Sequence, residues 1–140
     1  MADKTMRASL TFQQFIRLLP PTAAARPLPE LNLLFWLANH EQAPTPSGLA
    51  AQWQVSRAAI TKTLTPLVAA GLVSKQRDAA DLRSFTIHLT AAGRAVVDNC
   101  AEAYLKPLTT LRAGLGKKRF RKLEKLLMAA NACLSPKEPQ

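Results

Sequence analysis

The stretch TPSGLAAQWQVSRAAITKTLTPLVAAGL, Thr45 to Leu72, decides how this chain is read. Thr45 can accept a hydrogen bond from an orphan amide and Pro46 suits the first helical position, so a short helix is predicted from there. Leu49, Ala50 and Trp53 form its inward side, and Gln54-Val55-Ser56 reads as a tight turn ending in a second N-cap. From Arg57 a second helix places Ile60, Leu64, Leu67 and Val68 on one face, and Gly71 ends it. Small Ala50 facing apolar Ile60 lets two short helices cross steeply, as in a helix-turn-helix. Beyond Gly71 the apolar period changes to two. Strands are predicted over Leu72–Arg77 and Leu82–Leu89, with Phe85, Ile87 and Leu89 alternating against Ser84, Thr86 and His88, and Asp78–Asp81 as the tip. A helix-turn-helix followed by a hairpin is a winged helix.

These residues also resemble a known family. Ala50, Val55-Ser56-Arg57, Ile60-Thr61-Lys62, Gly71-Leu72-Val73, Asp81-Leu82-Arg83-Ser84 and Leu89-Thr90-Ala91-Ala92-Gly93 together are similar to the multiple antibiotic resistance regulator (MarR) family of bacterial transcription factors. The Asp-x-Arg wing followed by Leu-Thr-x-x-Gly is the most specific piece. About a third of the chain carries the match, and the flanking helices agree only in pattern. Two positions depart from it: Gln54 stands where many helix-turn-helix units have glycine, and Pro66 lies inside the second helix.

Outward from the winged helix, an N-terminal helix is predicted over Ala8–Leu19, after a loose first six residues, with Leu10, Phe15, Ile16 and Leu19 buried. Pro20 to Pro29 reads as an extended connector, because proline removes amide donors and disfavours helix in the residue before it. Glu30–His40 is a helix with Leu31, Leu34, Phe35 and Ala38 inward and Trp36 on its flank. Thr90 caps a long helix towards Leu111 bearing Val97, Cys100, Ala101, Tyr104, Leu108 and Leu111, with a kink at Pro107. Gly114-Leu115-Gly116 breaks it. A last helix, Lys118–Leu134, shows Phe120, Leu123, Leu127, Ala130 and Leu134 as a stripe, and Ser135–Gln140 frays.

The expected fold is mostly α with a small β-hairpin wing: residues 1–29 a dimerisation helix and connector, 30–90 the winged helix, 91–140 the C-terminal dimerisation helices. The resemblance implies that the first and last two helices intertwine with a second subunit, and long apolar stripes outside a compact unit independently need a partner to bury them.

The formal charge of +10 and a pI near 10.3 favour a polyanionic partner. Between Thr45 and Thr90, Arg57, Lys62, Lys75, Arg77 and Arg83 are opposed only by Asp78 and Asp81. The first turns of the Arg57 helix, with Ser56, Arg57, Ala58, Ala59, Thr61, Lys62 and Thr63, are predicted to enter a major groove. There arginine can grip guanine in a bidentate fork and alanine can lie against a thymine methyl. Ser56 reads as a cap. By resemblance Arg83 reaches the minor groove from the wing tip while Asp81 steadies the loop, pairing with an arginine or a tip amide. The run Lys117, Lys118, Arg119, Arg121, Lys122, Lys125, opposed by Glu124, reads as a solvated helix face or as a contact to flanking phosphates.

The implied function is a dimeric, sequence-specific regulator of transcription on an inverted-repeat operator, a repressor relieved by a small anionic or phenolic effector. Phe12, Phe15, Arg17, Trp36 and Tyr104 are the candidate effector pocket. Two alternatives are an architectural or protein-interaction module, and a redox sensor using Cys100 or Cys133. No secretory signal or membrane span is expected, which predicts a cytoplasmic protein with free thiols. Neither a phosphate-binding glycine loop nor a nucleophile motif is present, and His40, Glu41 and His88 lack metal-ligand spacing, so no enzyme activity, cofactor or metal is expected.

Overall fold

A computed structural model describes residues 2–20, 26–81 and 83–135 of the chain. Its elements are helices α1 (Ala2–Leu18), α2 (Leu28–Ala38), α3 (Pro46–Trp53) and α4 (Arg57–Ala69), strands β1 (Val73–Arg77) and β2 (Phe85–Leu89), and helices α5 (Ala91–Leu115) and α6 (Lys117–Leu134). The strands pair antiparallel, with Val73 opposite Leu89 and Arg77 opposite Phe85. This is a winged helix-turn-helix with one helix before it and two after.

Local chemistry sets the helix starts. The Thr45 hydroxyl accepts from the Gly48 amide at 3.0 Å, Ser56 from Ala59 at 3.0 Å and Thr90 from Gly93 at 3.1 Å, each satisfying a donor the helix leaves open. Gly71, at φ +73°, turns the chain out of α4, where an L side chain would be strained.

The core lies within the winged helix. Leu33, Leu34 and Leu37 of α2 meet Leu49 of α3, Ile60, Leu64 and Leu67 of α4, Val73 and Ile87 of the strands, and Val97 from α5. Burying each of the fully covered leucines contributes about 2 kcal/mol. The loop before α3 joins the hairpin through the Ile87 amide, which donates to the Pro44 carbonyl at 2.9 Å.

Thr90 and Gly93 fasten α5 to this body. The Thr90 amide donates to the Leu72 carbonyl at 3.1 Å and its hydroxyl to the Gly71 carbonyl at 2.6 Å. Gly93 is buried so close that a Cβ on it would stand 2.2 Å from the Leu72 carbonyl oxygen and 2.6 Å from Leu89 Cδ1. Only glycine allows the helix this near the sheet.

Several boundaries and faces differ from the sequence expectation. α1 starts at Ala2, not Ala8: Asp3 sits in its first turn and pairs with Arg7 at 2.7 Å, one turn on. α2 starts at Leu28 because Pro29 is an early helical residue needing no amide partner. It is buried more widely than one stripe, with Leu33 and Leu37 covered besides Leu31, Leu34 and Phe35. β2 starts at Phe85, since Arg83 and Ser84 close a turn back onto Asp81. Gly114 stays helical, and Gly116 alone, at φ +84°, breaks the chain before α6. α4 and α5 run on through Pro66 and Pro107.

Leu10, Phe15, Ile16 and Leu19, expected to be buried, are exposed, as is every described side chain from residue 3 to 20. Leu108, Leu127, Ala130 and Leu134 are exposed as well, while Phe120 and Leu123 are half-covered. Periodicity identifies the apolar face of a helix and not what lies on it, and one copy of this chain has nothing to cover these. Leu82, residues 21–25 of the expected connector and 136–140 of the expected frayed tail lie outside the described residues.

Candidate nucleic-acid interface

α4 is anchored on one side by Ile60, Leu64 and Leu67 and presents the other to solvent. Ser56, Arg57, Ala58, Ala59, Thr61 and Lys62 are exposed and Thr63 is half-buried, so the structure gathers the predicted reading residues on the first two turns of one helix. No acidic residue lies in its first turn, which leaves the positive end of the helix dipole free to favour an anion.

The threonines of this helix are already engaged. Thr61 donates its hydroxyl to the Arg57 carbonyl at 3.1 Å, Thr63 to Ala59 at 3.1 Å and Thr65 to Thr61 at 2.8 Å. For Thr61 or Thr63 to donate to a phosphate, the hydroxyl must leave its backbone carbonyl first. That leaves Arg57 and Lys62 as the charged donors on the exposed turns.

The hairpin tip is tied by its own aspartates. Asp78 Oδ1 accepts from the Ala80 amide at 2.9 Å and Asp81 Oδ1 from the Arg83 amide at 3.0 Å, while the Asp78 amide donates to the Ser84 carbonyl at 3.0 Å. Asp81 therefore engages a tip amide, one of the two partners the sequence suggested, and the Arg83 side chain stays exposed at the tip. Lys75 and Arg77 lie exposed along β1, with Lys75 Nζ held 4.8 Å above the Phe85 ring, a cation–π contact that fixes its stem.

The five residues expected around an effector fall in different surroundings. Phe12, Phe15 and Arg17 are exposed on α1. Trp36 stacks on His40 at 3.7 Å and meets Trp53 edge-on at 6.5 Å. Tyr104 stacks on Phe35 at 3.9 Å and donates to Asn32 Oδ1 at 2.7 Å, and burial raises its hydroxyl above the ordinary tyrosine range. A groove of about 660 Å3 lies elsewhere, between the start of α2 (Pro27, Pro29, Glu30, Asn32) and Trp53, Val55, Ala59, Ile60, Lys62, Thr63 and Pro66. The sequence reading missed it, because its two walls are far apart in the chain and share no motif. Glu30, nearly covered on its rim, pairs with Arg26 at 3.2 Å.

One long-range contact was likewise invisible in the sequence. Gln54 holds a left-handed backbone, φ 56°, where glycine is usual, and its side-chain amide donates to Ser135 Oγ at 2.8 Å, joining the turn before α4 to the end of α6. Among the described residues no group of three or more His, Cys, Asp or Glu could hold a metal ion, and no helix is long and apolar enough to cross a membrane. Cys100 and Cys133 are free thiols, half-buried and exposed respectively.

Comparison with known proteins places this geometry. Residues 26–84 match the model of the MarR family. The S. aureus MepR–DNA complex is similar at 20% identity and a TM-score of 0.77, over 90% of this chain and 97% of that one. Lactococcus lactis ZitR, a zinc-responsive MarR family member, gives 20% identity and 0.64 over 94% and 96%. The adhesin competence repressor AdcR of Streptococcus pyogenes gives 19% and 0.66 over 91% and 96%. No curated protein matches the sequence. At such identities the solved structures speak to the fold, and the family model speaks to the segment that forms it. Over residues 26–84 the winged helix-turn-helix of this chain is similar to that of the MarR family.

Proposed function

We propose that the protein is a dimeric, sequence-specific DNA-binding regulator of transcription, acting as a repressor that a small-molecule effector relieves. The observation that carries this reading is the start of α4, where Ser56 caps a helix whose Arg57, Ala59 and Lys62 are exposed while its opposite side is locked into the core. A helix held that way can enter a major groove, Arg57 reading a guanine edge, Ala59 meeting a thymine methyl and Lys62 a phosphate. Ser56 serves as the cap, and Thr61 and Thr63 line the groove side. Lys75 and Arg77 approach the backbone, and Arg83, on the tip that Asp81 steadies, senses a narrow A·T-rich minor groove. The similarity to MepR, solved bound to DNA, supports the same use here.

Dimerisation is supported by the uncovered apolar residues of α1 and α6, which a two-fold partner would bury. For the effector, the groove beside α4 is the candidate seat in the single chain, since Ala59 and Thr63 form part of its wall and a bound molecule there would bias the reading turns. Phe12, Phe15 and Arg17 could add to a pocket once a second copy packs on α1.

The test is selection of bound duplexes from a random pool, then titration of the winner and a scrambled control across salt concentrations. The expected winner is an inverted repeat with half-sites about 34–36 Å apart, bound far more tightly than the scramble. Equal affinity and equal salt slope for both would refute sequence-specific regulation and favour an architectural role.

A further inference from the structure

We propose that the outer face of α6, formed by Lys118, Arg121, Lys122 and Lys125, binds a second DNA duplex, so that a dimer seated on one duplex bridges it to another. This rests on the reading of the winged helix as the seat of the first duplex.

The four residues stand at i, i+3, i+4 and i+7, which puts them in one row on a helix surface, and all four are exposed. Phe120 and Leu123, half-covered, belong to the opposite side, so the cationic row stays in solvent whether or not the apolar stripe meets a partner. Among the described residues none of the four side chains takes part in an ion pair or hydrogen bond. Six cations against Glu124 leave residues 117–125 at +5, half of the chain's +10.

That arrangement is unfavourable in the free protein. It crowds cations into the starting turns of a helix with no acidic residue in its first turn and no side-chain cap, where the dipole already disfavours positive charge. Cations three and four residues apart also repel. A polyanion laid along the row relieves both.

The place of the row separates it from the reading head. α5 leaves the hairpin at Thr90 and runs 25 residues, so α6 begins about 37 Å further along. α6 then returns until Ser135 touches Gln54, which puts its starting turns at the end away from the helix-turn-helix.

The chemistry of the row selects its partner. It carries no aromatic residue on which unpaired bases could stack, and no apolar residue that a protein interface would need at its centre. What remains is recognition of regularly spaced phosphates by charge. A row about 10 Å long spans some six phosphates of a duplex.

The experiment uses the whole protein on an immobilised duplex bearing its selected repeat, and measures capture of a second, fluorescent duplex of unrelated sequence. Wild type should capture it, with a log–log salt slope of about −3 to −4 for four phosphate contacts. Lys118→Gln/Arg121→Gln/Lys122→Gln/Lys125→Gln should keep its affinity for the immobilised repeat within about twofold while capture falls about tenfold or more. Replacing Lys118, Lys122 and Lys125 by arginine should retain capture. Wild type that holds the repeat but captures nothing, or a glutamine variant that captures as well as wild type, would overturn the proposal. So would a variant that loses affinity for the repeat itself, which would assign the row to the flanks of the first duplex. Loss of binding to anionic phosphatidylserine vesicles with capture unchanged would reassign it to a lipid surface. Failure of wild type to hold its repeat would instead strike at the winged-helix reading, and at bridging with it.

Discussion

Replacing Gly93 by alanine tests how α5 is joined to the winged helix. The new methyl carbon would stand 2.2 Å from the Leu72 carbonyl oxygen, when unstrained non-bonded contacts lie at about 3.5 Å, so the first turn of α5 must retreat by about 1 Å. Leu72 is backbone at the end of the α4–β1 turn and cannot swing away as a flexible side chain would. Overpacking of this kind costs about 2 kcal/mol. The retreat also strains the two bonds from Thr90 to Leu72 and Gly71, together about 2 kcal/mol. Alanine's helix preference over glycine returns about 1 kcal/mol. The net expectation is a loss of about 3 kcal/mol, read from urea unfolding at fixed protomer concentration with unchanged m. Gly114→Ala is the control: it lies in the same helix with nothing within 4 Å of the added carbon, and should gain up to about 1 kcal/mol. Gly93→Ala as stable as wild type would refute the close-approach argument, whatever the control does.

Other expectations concern the reading surfaces and the partly covered hydroxyl of Tyr104. Arg57→Ala should flatten discrimination at one base pair of each half-site by about 1–3 kcal/mol, seen by titrating single-base variants of the selected repeat; unchanged discrimination would remove Arg57 as a base reader. Arg83→Ala should weaken binding most for repeats with A·T-rich flanks, and equal loss on G·C-rich flanks would argue against a minor-groove role. Burial raises the Tyr104 pKa in the folded state, so the unfolded chain loses this proton first as pH rises. Stability from this group is therefore complete below the ordinary tyrosine pKa and declines as pH climbs through it towards the folded value. Tyr104→Phe should lessen that alkaline decline in denaturation midpoints, and an identical pH profile would count against it.

The parts legible in the sequence were those governed by neighbours in the chain. Thr45, Ser56 and Thr90 as caps, Gly71 as a stop and the period-two run through Ile87 each depend on a few adjacent residues, and together they located the winged helix. The start of β2 was missed because Asp81 and Ser84 form a turn whose bonds compete with strand pairing. α1 was cut short because an ion pair one turn long compensates for its polar beginning. The exposed stripes of α1 and α6 mark a different limit, since a pattern of apolar residues says that a face wants cover without naming the cover. At the candidate interface, the exposure of Arg57 and Lys62 followed from helix phase. The inward hydroxyl bonds of Thr61 and Thr63 depend on rotamers, and the groove beside α4 on the packing of distant segments.

The bond between Gln54 and Ser135 has a consequence for the order in which the protein is made. The core of the winged helix is complete once Val97 has been synthesised, 38 residues before Ser135. At about 5–20 residues per second the ribosome needs roughly 2–8 s to cross that interval. The winged-helix segment therefore leaves the ribosome ahead of α6, and the left-handed turn at Gln54 lacks its side-chain partner until the returning helix supplies it last.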